Sequence, residues 1–312
     1  GFDYVHNPER LNVPLIRRDD SPKTPDLPNN PLSNFREATW EEALDKAASG
    51  LLKVRNQNGG NALAGFGSAK GSNEEAYLVQ KLVRTGFGTN NVDHCTRLCH
   101  ASSVAALMET IGSGAVTAPF AEAENSEVII VIGANPTVNH PVAATFIKNA
   151  TKAGSKLIVM DPRGQALSRH ATHMIQFKPS SDVAMLNGMI NTIIEESLYD
   201  QQYVDGFTEG FEELKNSTKE FTPERMSAIC GIKPDTIRKM ARIYAKAESA
   251  LIFWGMGVSQ HTHGTDNARC LISLALICGH VGRAGSGLHP LRGQNNVQGA
   301  SDAGLIPMFY PD

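Results

Sequence analysis

Two cysteines and a histidine lie close together in the segment DHCTRLCH, which covers residues 93–100. Cys95 and Cys99 are four residues apart, and His100 directly follows the second cysteine. A cysteine thiolate is a soft ligand that suits a redox metal, and an imidazole exchanges a proton near neutral pH. The pattern indicates a compact redox site, whereas spacing alone favours a core cysteine beside a surface histidine.

Two other metal sites fit these residues less well. A structural zinc site needs a second pair of cysteines or histidines at ligand spacing, and the sequence has none. Haem attachment needs C-x-x-C-H, whereas three residues separate the cysteines here. Cys230, Cys270 and Cys278 are expected to be small buried hydrophobic residues. An odd, sparse set of five cysteines favours a reducing compartment, and we expect a cytoplasmic protein.

A second polar stretch, PLRGQNNVQG, covers residues 290–299. It places Arg292 next to a glycine, and a guanidinium there would hold a small carboxylate with two parallel hydrogen bonds. A solvated arginine, or one paired with a protein carboxylate, is the commoner alternative. We expect the fold to bring this stretch and residues 93–100 together around a metal cofactor.

Composition limits the classes of protein to which the chain can belong. It has 312 residues, of which 41% are hydrophobic and 20% charged, as in an ordinary globular protein with room for two domains. The net charge of −3 argues against nucleic-acid or membrane-surface binding. No apolar run approaches the roughly 20 residues that span a bilayer. The chain begins without a signal peptide or Met, and we expect it to be a piece of a longer protein.

Elements with the periodicity of strands and helices alternate along the chain. A helix begins after Thr39, which has Glu42 three residues later as in a capping box. Strands are predicted over 61–67, 127–133, 156–161, 173–177 and 250–255, the last of these being the final strand. Helices are predicted over 73–85, 141–153, from 182 onwards and over 265–278. This pattern predicts the α/β class, with Rossmann-like parallel sheets and helices on both faces.

The same elements suggest a division of the chain. Residues 1–34 are rich in proline and asparagine and are expected to form an extended N-terminal segment. Residues 35–94 with 295–312 are expected to form part of a first α/β domain. Residues 95–294 are expected to form a second, Rossmann-like α/β domain.

Polar residues follow the predicted strands or begin the helices after them. Ligands of parallel sheets bind beyond the carboxyl ends of the strands, so these positions indicate a large bound ligand. They are Lys70, Asn135, Asp161, Arg163, Asp182 and the range from Met256 to Gln260. Alternatively, Asp161 and Asp182 cap secondary-structure elements, and Lys70 and Arg163 are ordinary surface charges. The sequence has neither G-x-G-x-x-G after a strand nor G-x-x-x-x-G-K-[ST], so ordinary NAD binding and a P-loop are not supported.

Six separated motifs occur in an order that resembles a known family. They are CTRLCHASSVAAL, VIGANP with HPVAA, DPR, FKPSSDVAMLNG, GMGVSQ and LRGQNNVQGASDAG. Together they resemble the molybdopterin-dependent formate dehydrogenases of the dimethyl sulfoxide reductase superfamily, along the whole chain. The resemblance implies a molybdenum or tungsten ion held by two molybdopterin guanine dinucleotides.

The resemblance also implies roles for individual residues. Cys99 takes the place of the metal-ligating cysteine or selenocysteine, His100 that of the adjacent catalytic histidine, and Arg292 that of the arginine that orients the substrate. The positions that match pterin-dinucleotide contacts are Lys70, Asn135, Asp161, Arg163, Asp182, Met256, Gln260, Gly293 and Gln294. Relatives often have arginine at position 70.

The implied activity is the reversible two-electron oxidation of formate to carbon dioxide. Electrons would pass to a 4Fe-4S cluster in an N-terminal region outside this chain and to iron–sulfur or diaphorase subunits, with NAD as a final acceptor. The chain would be the central part of a longer subunit. Two alternatives stay open: another pterin oxidoreductase such as a nitrate reductase, and a pterin-free structural subunit like the large subunit of NADH dehydrogenase.

Overall fold

The computed structural model describes residues 2–21 and 30–311. The chain forms two compact units, which consist of Gly1–His94 with Ala300–Asp312 (unit 1) and of Cys95–Gly299 (unit 2). The domain boundaries expected from the sequence, at residues 34, 94 and 294, remain predictions. No helix among the described residues is both long enough and apolar enough to cross a membrane.

The strands and helices of the described residues are numbered here in chain order. The strands are β1 (Leu15–Arg17), β2 (Phe35–Glu37), β3 (Gly65–Gly67), β4 (Val92–His94), β5 (Val128–Ile132), β6 (Lys156–Met160), β7 (His173–Ile175), β8 (Ala250–Trp254) and β9 (Gly287–Pro290). The helices are α1 (Phe2–Val5), α2 (Trp40–Asn58), α3 (Asn73–Lys81), α4 (Ala101–Ile111), α5 (Pro136–Asn139), α6 (Ala143–Ala153), α7 (Asp182–Glu195), α8 (Gln201–Phe207), α9 (Phe211–Thr218), α10 (Pro223–Cys230), α11 (Pro234–Ala245), α12 (Met256–Ser259), α13 (Gly264–Ile277) and α14 (Val297–Asp302).

Unit 2 is built on a five-stranded sheet in which every pair of neighbouring strands is parallel. The strand order is β7-β6-β5-β8-β9. The chain therefore builds outward from β5 in one direction and then returns to the other side of β5 with β8. Such a reversal leaves a crevice at the carboxyl ends of the two central strands, where ligands of α/β proteins bind.

Both faces of this sheet are covered, as the continuous apolar strands predicted. Residues 128, 130 and 132 of β5 pack on one face into a cluster with α4, α7, α11 and α13. Residues 129 and 131 pack on the other face, against α6 and the segment around residue 120. The α/β class and the parallel sheet with helices on both faces are confirmed.

One strand of the sheet was not expected from the sequence. The prediction that residues 250–255 form the last strand is wrong, because β9 pairs with β8 from Gly287 to Pro290. The sequence GLHP combines two residues that are rare in strands. Proline is tolerated here because β9 lies at the edge of the sheet, where one side of its backbone needs no partner strand.

Unit 1 contains a short parallel pair, β3 with β4. The prediction of a strand over 61–67 is wrong for its first part, since a 3-10 turn covers Gly60–Ala62. The Asn91 amide donates to the carbonyls of Asn61 (3.3 Å) and Leu63 (3.1 Å), so side chains bind the backbone groups that a longer ladder would use. The predicted helix over 73–85 is α3, which continues into a π-helical turn at Leu82–Phe87.

Arg84 anchors the last described residues of unit 1. Its guanidinium donates to the carbonyls of Gly304 (2.8 Å), Ile306 (2.8 Å) and Phe309 (2.9 Å). The same group lies 4.9 Å from the ring centre of Tyr310, at a distance that suits a cation–π contact.

The N-terminal segment is more structured than the expected extended chain. It begins with the one-turn helix α1, and β1 pairs with β2 in an antiparallel ladder. Part of the predicted extended segment, residues 22–29, lies outside the described residues. The predicted cap of α2 is confirmed, because the Thr39 hydroxyl accepts from the backbone N–H of Glu42 at 3.2 Å.

Candidate active site

Three loops of unit 2 meet around the cysteine–histidine pair. Cys99 and His100 directly precede α4, α12 follows β8, and residues 291–294 follow β9. The Cys99 Sγ atom lies 3.6 Å from Met256 Sδ at the start of α12. His100 reaches the other two loops through Ser259 and Leu291. The fold thus brings together the two stretches that are nearly 200 residues apart in the sequence.

His100 is fully buried and bound at both ring nitrogens. Its Nε2 atom lies 2.8 Å from the carbonyl oxygen of Leu291, and its Nδ1 atom lies 3.1 Å from the Ser259 hydroxyl. Burial lowers the pKa of His100 to about 4, with a further lowering by the charge of Arg292. The imidazole is therefore neutral at pH 7, which differs from the expectation of a group that titrates near neutrality.

Cys99 is half-buried, and burial raises the pKa of its thiol more than the neighbouring Arg292 lowers it. A metal that binds this sulfur would displace the proton, since only the thiolate is a good ligand. Cys95, one turn earlier, donates its S–H to the Gln294 side-chain oxygen. The two cysteines therefore face different partners.

Arg292 is largely buried, and burial lowers its pKa. One guanidinium nitrogen, Nη2, donates to the Gly114 carbonyl at 2.7 Å. Its own carbonyl accepts from His140 Nε2 at 2.7 Å. Among the described residues, no carboxylate lies within ion-pair distance of this guanidinium, so the alternative of an arginine paired with a protein carboxylate does not hold for this part of the chain. A buried cation with N–H groups to spare suits an anionic ligand.

A cleft of about 470 Å³ opens where the chain reverses between β5 and β8. This volume lies within the range of roughly 300–1,000 Å³ that is usual for ligand sites. The lining residues come from the loops after all five strands of the sheet and from the start of α7. Those that the sequence analysis named are Asn135, Asp161, Arg163, Asp182, Met256 and Gly293.

Asp161 and Asp182, the two carboxylates of the cleft, differ in their partners. Asp161 accepts from the Arg163 backbone N–H (2.8 Å) and from the Gln165 amide (3.1 Å), as a residue that organises the turn after a strand does. Asp182 is buried, and its Oδ1 atom has no hydrogen-bond partner in the part of the chain that the structure describes. Burial raises the pKa of Asp182. A buried acceptor without a partner at the wall of a cleft fits a ligand that supplies N–H donors.

The remaining predicted contacts have different surroundings. The Gln260 amide donates to the Leu98 carbonyl at 2.7 Å and thereby ties α12 to the cysteine segment. The Asn135 side-chain oxygen accepts from the Thr137 hydroxyl at 2.7 Å. Gln294 lies against Cys95 and outside the lining of the cleft. Lys70 belongs to unit 1, where it is exposed in the turn after β3, and its contact with a ligand stays a prediction.

Several residues of the site were not singled out from the sequence. His140 supports the Arg292 carbonyl, and Ser259 supports His100. His140 stands eight residues beyond β5 in the motif HPVAA, so its place after a central strand was a usable signal. Ser259 lies in the predicted range from Met256 to Gln260, but nothing in the sequence indicated its contact with His100, which only the folded chain shows.

The donor set fits a metal held mainly by a large cofactor. The thiol of Cys99 lies beside Met256, which lines the cleft, and close to Arg292. Asp182, whose Oδ1 atom has no partner among the described residues, lines the same cleft. The thiol is a soft ligand for a redox metal, and the carboxylate suits the amide and amine edge of a nucleobase. These residues are where a metal and an attached nucleotide would bind.

The chain is similar to curated proteins along almost all of its length. It is 40% identical over 310 residues to the F420-dependent formate dehydrogenase subunit alpha of Methanocaldococcus jannaschii, which covers 99% of this chain. It is 41% identical over 316 residues to formate dehydrogenase H of Escherichia coli, which covers all of it. The chain spans 43% of the length of each of these two relatives.

A solved structure and a family description also match this chain. Acetylene hydratase from Pelobacter acetylenicus superposes with a TM-score of 0.75 at 25% identity, over 89% of this chain and 36% of that protein. The description of the molybdopterin oxidoreductase family matches residues 10–307. With the reversed parallel sheet and the thiol at its crevice, this match shows that the chain belongs to the molybdopterin oxidoreductase family.

Proposed function

We propose that the protein carrying this chain oxidises formate reversibly to carbon dioxide at a molybdenum or tungsten ion held by two pterin guanine dinucleotides. The observation that carries the proposal is Arg292, a partly buried guanidinium without a carboxylate partner in the described residues, close to Cys99 and His100. The relatives that are about 40% identical are named formate dehydrogenases, which supports formate as the substrate.

The proposed chemistry removes two electrons and one proton from the formate anion and leaves carbon dioxide. When bound, the metal–pterin centre supplies the two-electron acceptor. Arg292 binds the formate carboxylate through the N–H groups that do not reach Gly114. This fixes the direction of the formate C–H bond, and such orientation is a large part of catalysis.

Cys99 and His100 have separate roles in this proposal. Cys99 would hold the metal as its thiolate, and the positive charge of Arg292 favours that deprotonated form. His100 is neutral and holds the carbonyl of Leu291, which precedes Arg292 in the chain. The resemblance implies that His100 assists the movement of charge and protons. We propose that it does so as a neutral imidazole.

We assign the cofactor contacts as the resemblance does. Asp182 offers a free acceptor to the base of a guanine dinucleotide, and Asp161 with Arg163 lies at the next strand end. The full proposed set is Lys70, Asn135, Asp161, Arg163, Asp182, Met256, Gln260, Gly293 and Gln294. Its members within the lining of the cleft have the strongest structural support.

We infer that the electrons leave through iron–sulfur centres, including a 4Fe-4S cluster outside this chain, to diaphorase-type subunits and NAD. We also place the protein in the cytoplasm. The free thiols of all five cysteines support a reducing compartment.

The test is formate-dependent dye reduction by the intact protein, together with metal and pterin analysis. Arg292→Lys should lower kcat/KM for formate by roughly 10–100-fold, because a lysine cannot form the two parallel hydrogen bonds, each of which to a charged group contributes about 1.5–3 kcal/mol. Metal and pterin contents should stay as in the wild type.

Arg269→Lys is the matched control, since Arg269 is an exposed arginine paired with Glu109. It should leave formate turnover unchanged. Unchanged turnover in Arg292→Lys would exclude the role of Arg292 in substrate binding. An intact protein that is purified without pterin or metal and does not oxidise formate would instead support the alternative of a structural subunit.

A further inference from the structure

A continuous chain of hydrogen bonds runs from the core of unit 2 to the site. Trp254 Nε1 lies 2.8 Å from the Ser103 hydroxyl, which lies 2.6 Å from the Ser259 hydroxyl. Ser259 contacts His100 Nδ1 at 3.1 Å, and His100 Nε2 contacts the Leu291 carbonyl at 2.8 Å. Every side chain in it is at most 4% exposed, so water does not compete with these bonds.

The two ends of the chain fix the direction of every bond. The Leu291 carbonyl only accepts, so His100 carries its proton on Nε2. The His100 ring is fully buried, and its two nitrogens contact only a hydroxyl and a carbonyl among the described residues, so no carboxylate stabilises a second proton on it. Nδ1 then accepts, and the single proton of the Ser259 hydroxyl points to it. Ser259 consequently accepts from Ser103. Because the indole N–H of Trp254 only donates, it completes the series by donating to Ser103.

The chain also ties His100 to the elements that carry the other site residues. Ser259 ends α12, whose first residue Met256 contacts Cys99. The Ser259 carbonyl accepts from the Ser102 hydroxyl at 2.7 Å, so its backbone is held separately from its side chain. At the far end, the Leu291 carbonyl belongs to the residue before Arg292. Leu291 is also held by its N–H, which donates to the Trp254 carbonyl at 2.7 Å. A rotation of the imidazole would therefore remove one of the two backbone hydrogen bonds that hold the residue before Arg292.

We propose that Ser259, supported by Ser103 and Trp254, is a positioning residue that holds His100 in the Nε2–H tautomer and so aligns the loop carrying Arg292. The effect of Ser259 on the orientation of His100 is inferred from the hydrogen bonds alone. The effect of Ser259 on turnover rests on the proposed formate oxidation.

The direct test is ¹⁵N NMR of the histidine side chains of the intact protein at pH 7, without formate. The His100 signals are assigned by their loss in His100→Gln. In the wild type, Nε2 should be the protonated nitrogen and Nδ1 an unprotonated nitrogen that accepts a hydrogen bond. Ser259→Ala should shift the Nδ1 resonance towards that of a free, unprotonated nitrogen or bring both tautomers into exchange. Ser259→Thr, which keeps the hydroxyl, should restore the wild-type spectrum.

Ser102→Ala is the matched control, because it removes a hydrogen bond to the backbone of Ser259 and leaves the hydroxyl on His100 in place. It should not shift the His100 nitrogens. Trp254→Phe, which retains an aromatic ring and removes the terminal donor, should shift Nδ1 in the same direction as Ser259→Ala. A wild-type spectrum with the proton on Nδ1, or an unshifted Nδ1 in Ser259→Ala, would overturn the proposal.

Turnover provides an independent reading. Ser259→Ala should lower kcat for formate by roughly 10-fold, as small displacements of catalytic groups do, and Ser259→Thr should recover most of it. A shifted Nδ1 in a protein that does not oxidise formate would support the positioning role and contradict the proposed function. An unshifted Nδ1 resonance in a Ser259→Ala variant that oxidises formate would contradict the positioning role and support the proposed function.

Discussion

Asp182 is buried and Arg292 is partly buried, and neither forms an ion pair among the described residues. Such groups are unfavourable in a folded chain unless a ligand compensates them. The guanidinium lies next to the thiol of Cys99, and the carboxylate lies at the wall of the cleft. At the scale of single residues, unsatisfied charge is therefore the best indicator of where ligands bind.

Asp182→Asn should have opposite effects on the free and the loaded protein. The raised pKa means that the folded state disfavours the charged carboxylate, so the neutral amide should leave the cofactor-free protein at least as stable as the wild type. The same change should weaken retention of the cofactor, because an unpaired ligand donor costs about 1–3 kcal/mol. Thermal melting and pterin content after gel filtration measure the two effects.

Asp235→Asn serves as the control, since Asp235 is exposed at the start of α11. It should leave pterin content unchanged. Full pterin retention in Asp182→Asn would show that this carboxylate does not contact the cofactor.

At the scale of elements, the loops after β5 and β8 make the cleft by touching one another. The N–H of Gly257 donates to the Gly133 carbonyl at 2.9 Å. A Cβ atom added to Gly133 would lie 2.8 Å from backbone atoms of residues 257 and 258, which is closer than real contacts allow. Gly133 also has a φ of 57°, in the left-handed region. Glycine is thus required there both by the backbone and by the neighbouring loop.

Gly133→Ala should destabilise the protein more than its backbone angle alone explains. The left-handed conformation costs a residue with a side chain about 1–2 kcal/mol, and the clash adds to this because backbone atoms cannot step aside. Gly88→Ala isolates the first effect, since Gly88 also has a left-handed φ (75°) but open space around its Cβ position. Urea denaturation of both variants should give a larger loss for Gly133→Ala. Equal losses would mean that the two loops separate easily.

The strands were predictable to different degrees for a physical reason. The strands β5, β6 and β8 are buried on both faces, so their sequences are continuous apolar runs that few other structures produce. The edge strand β9 is buried by its neighbours and yet contains glycine and proline, which local preferences assign to a turn. Its existence depends on β8, a partner that lies more than 30 residues earlier.

At the scale of the whole molecule, folding buries histidines in their neutral form. His289 is 6% exposed, and its Nδ1 atom donates to the Ala118 carbonyl at 2.7 Å while its ring packs on Phe120. Burial lowers the pKa of His289 to about 4, from 6.5 in the unfolded chain. The unfolded state therefore binds more protons between these values, and stability falls as the pH is lowered from 6.5 towards 4.

His289→Asn should reduce the acid sensitivity of the protein. At pH 5, the neutral His289 accounts for a loss of about 2 kcal/mol relative to pH 7, and asparagine does not titrate while it still offers an N–H to the carbonyl. The free energy of unfolding, measured in urea at both pH values, should fall less in the variant than in the wild type. An equal fall would mean that His289 is protonated in the folded protein or exposed to water.

The sequence alone determined the class of the fold and the residue types available to the candidate centre. Both follow from local patterns, because burial on two faces requires apolar strands, and a soft ligand, an imidazole and a guanidinium are recognisable by residue type. The tertiary structure decided how these groups are used. The side of β5 on which β8 lies, the loops that consequently touch, the burial that makes His100 neutral and the serine that orients it all depend on contacts between distant residues. Such contacts follow from the order of strands in the sheet. Local periodicity predicts where strands form, and it does not predict the order in which they pair.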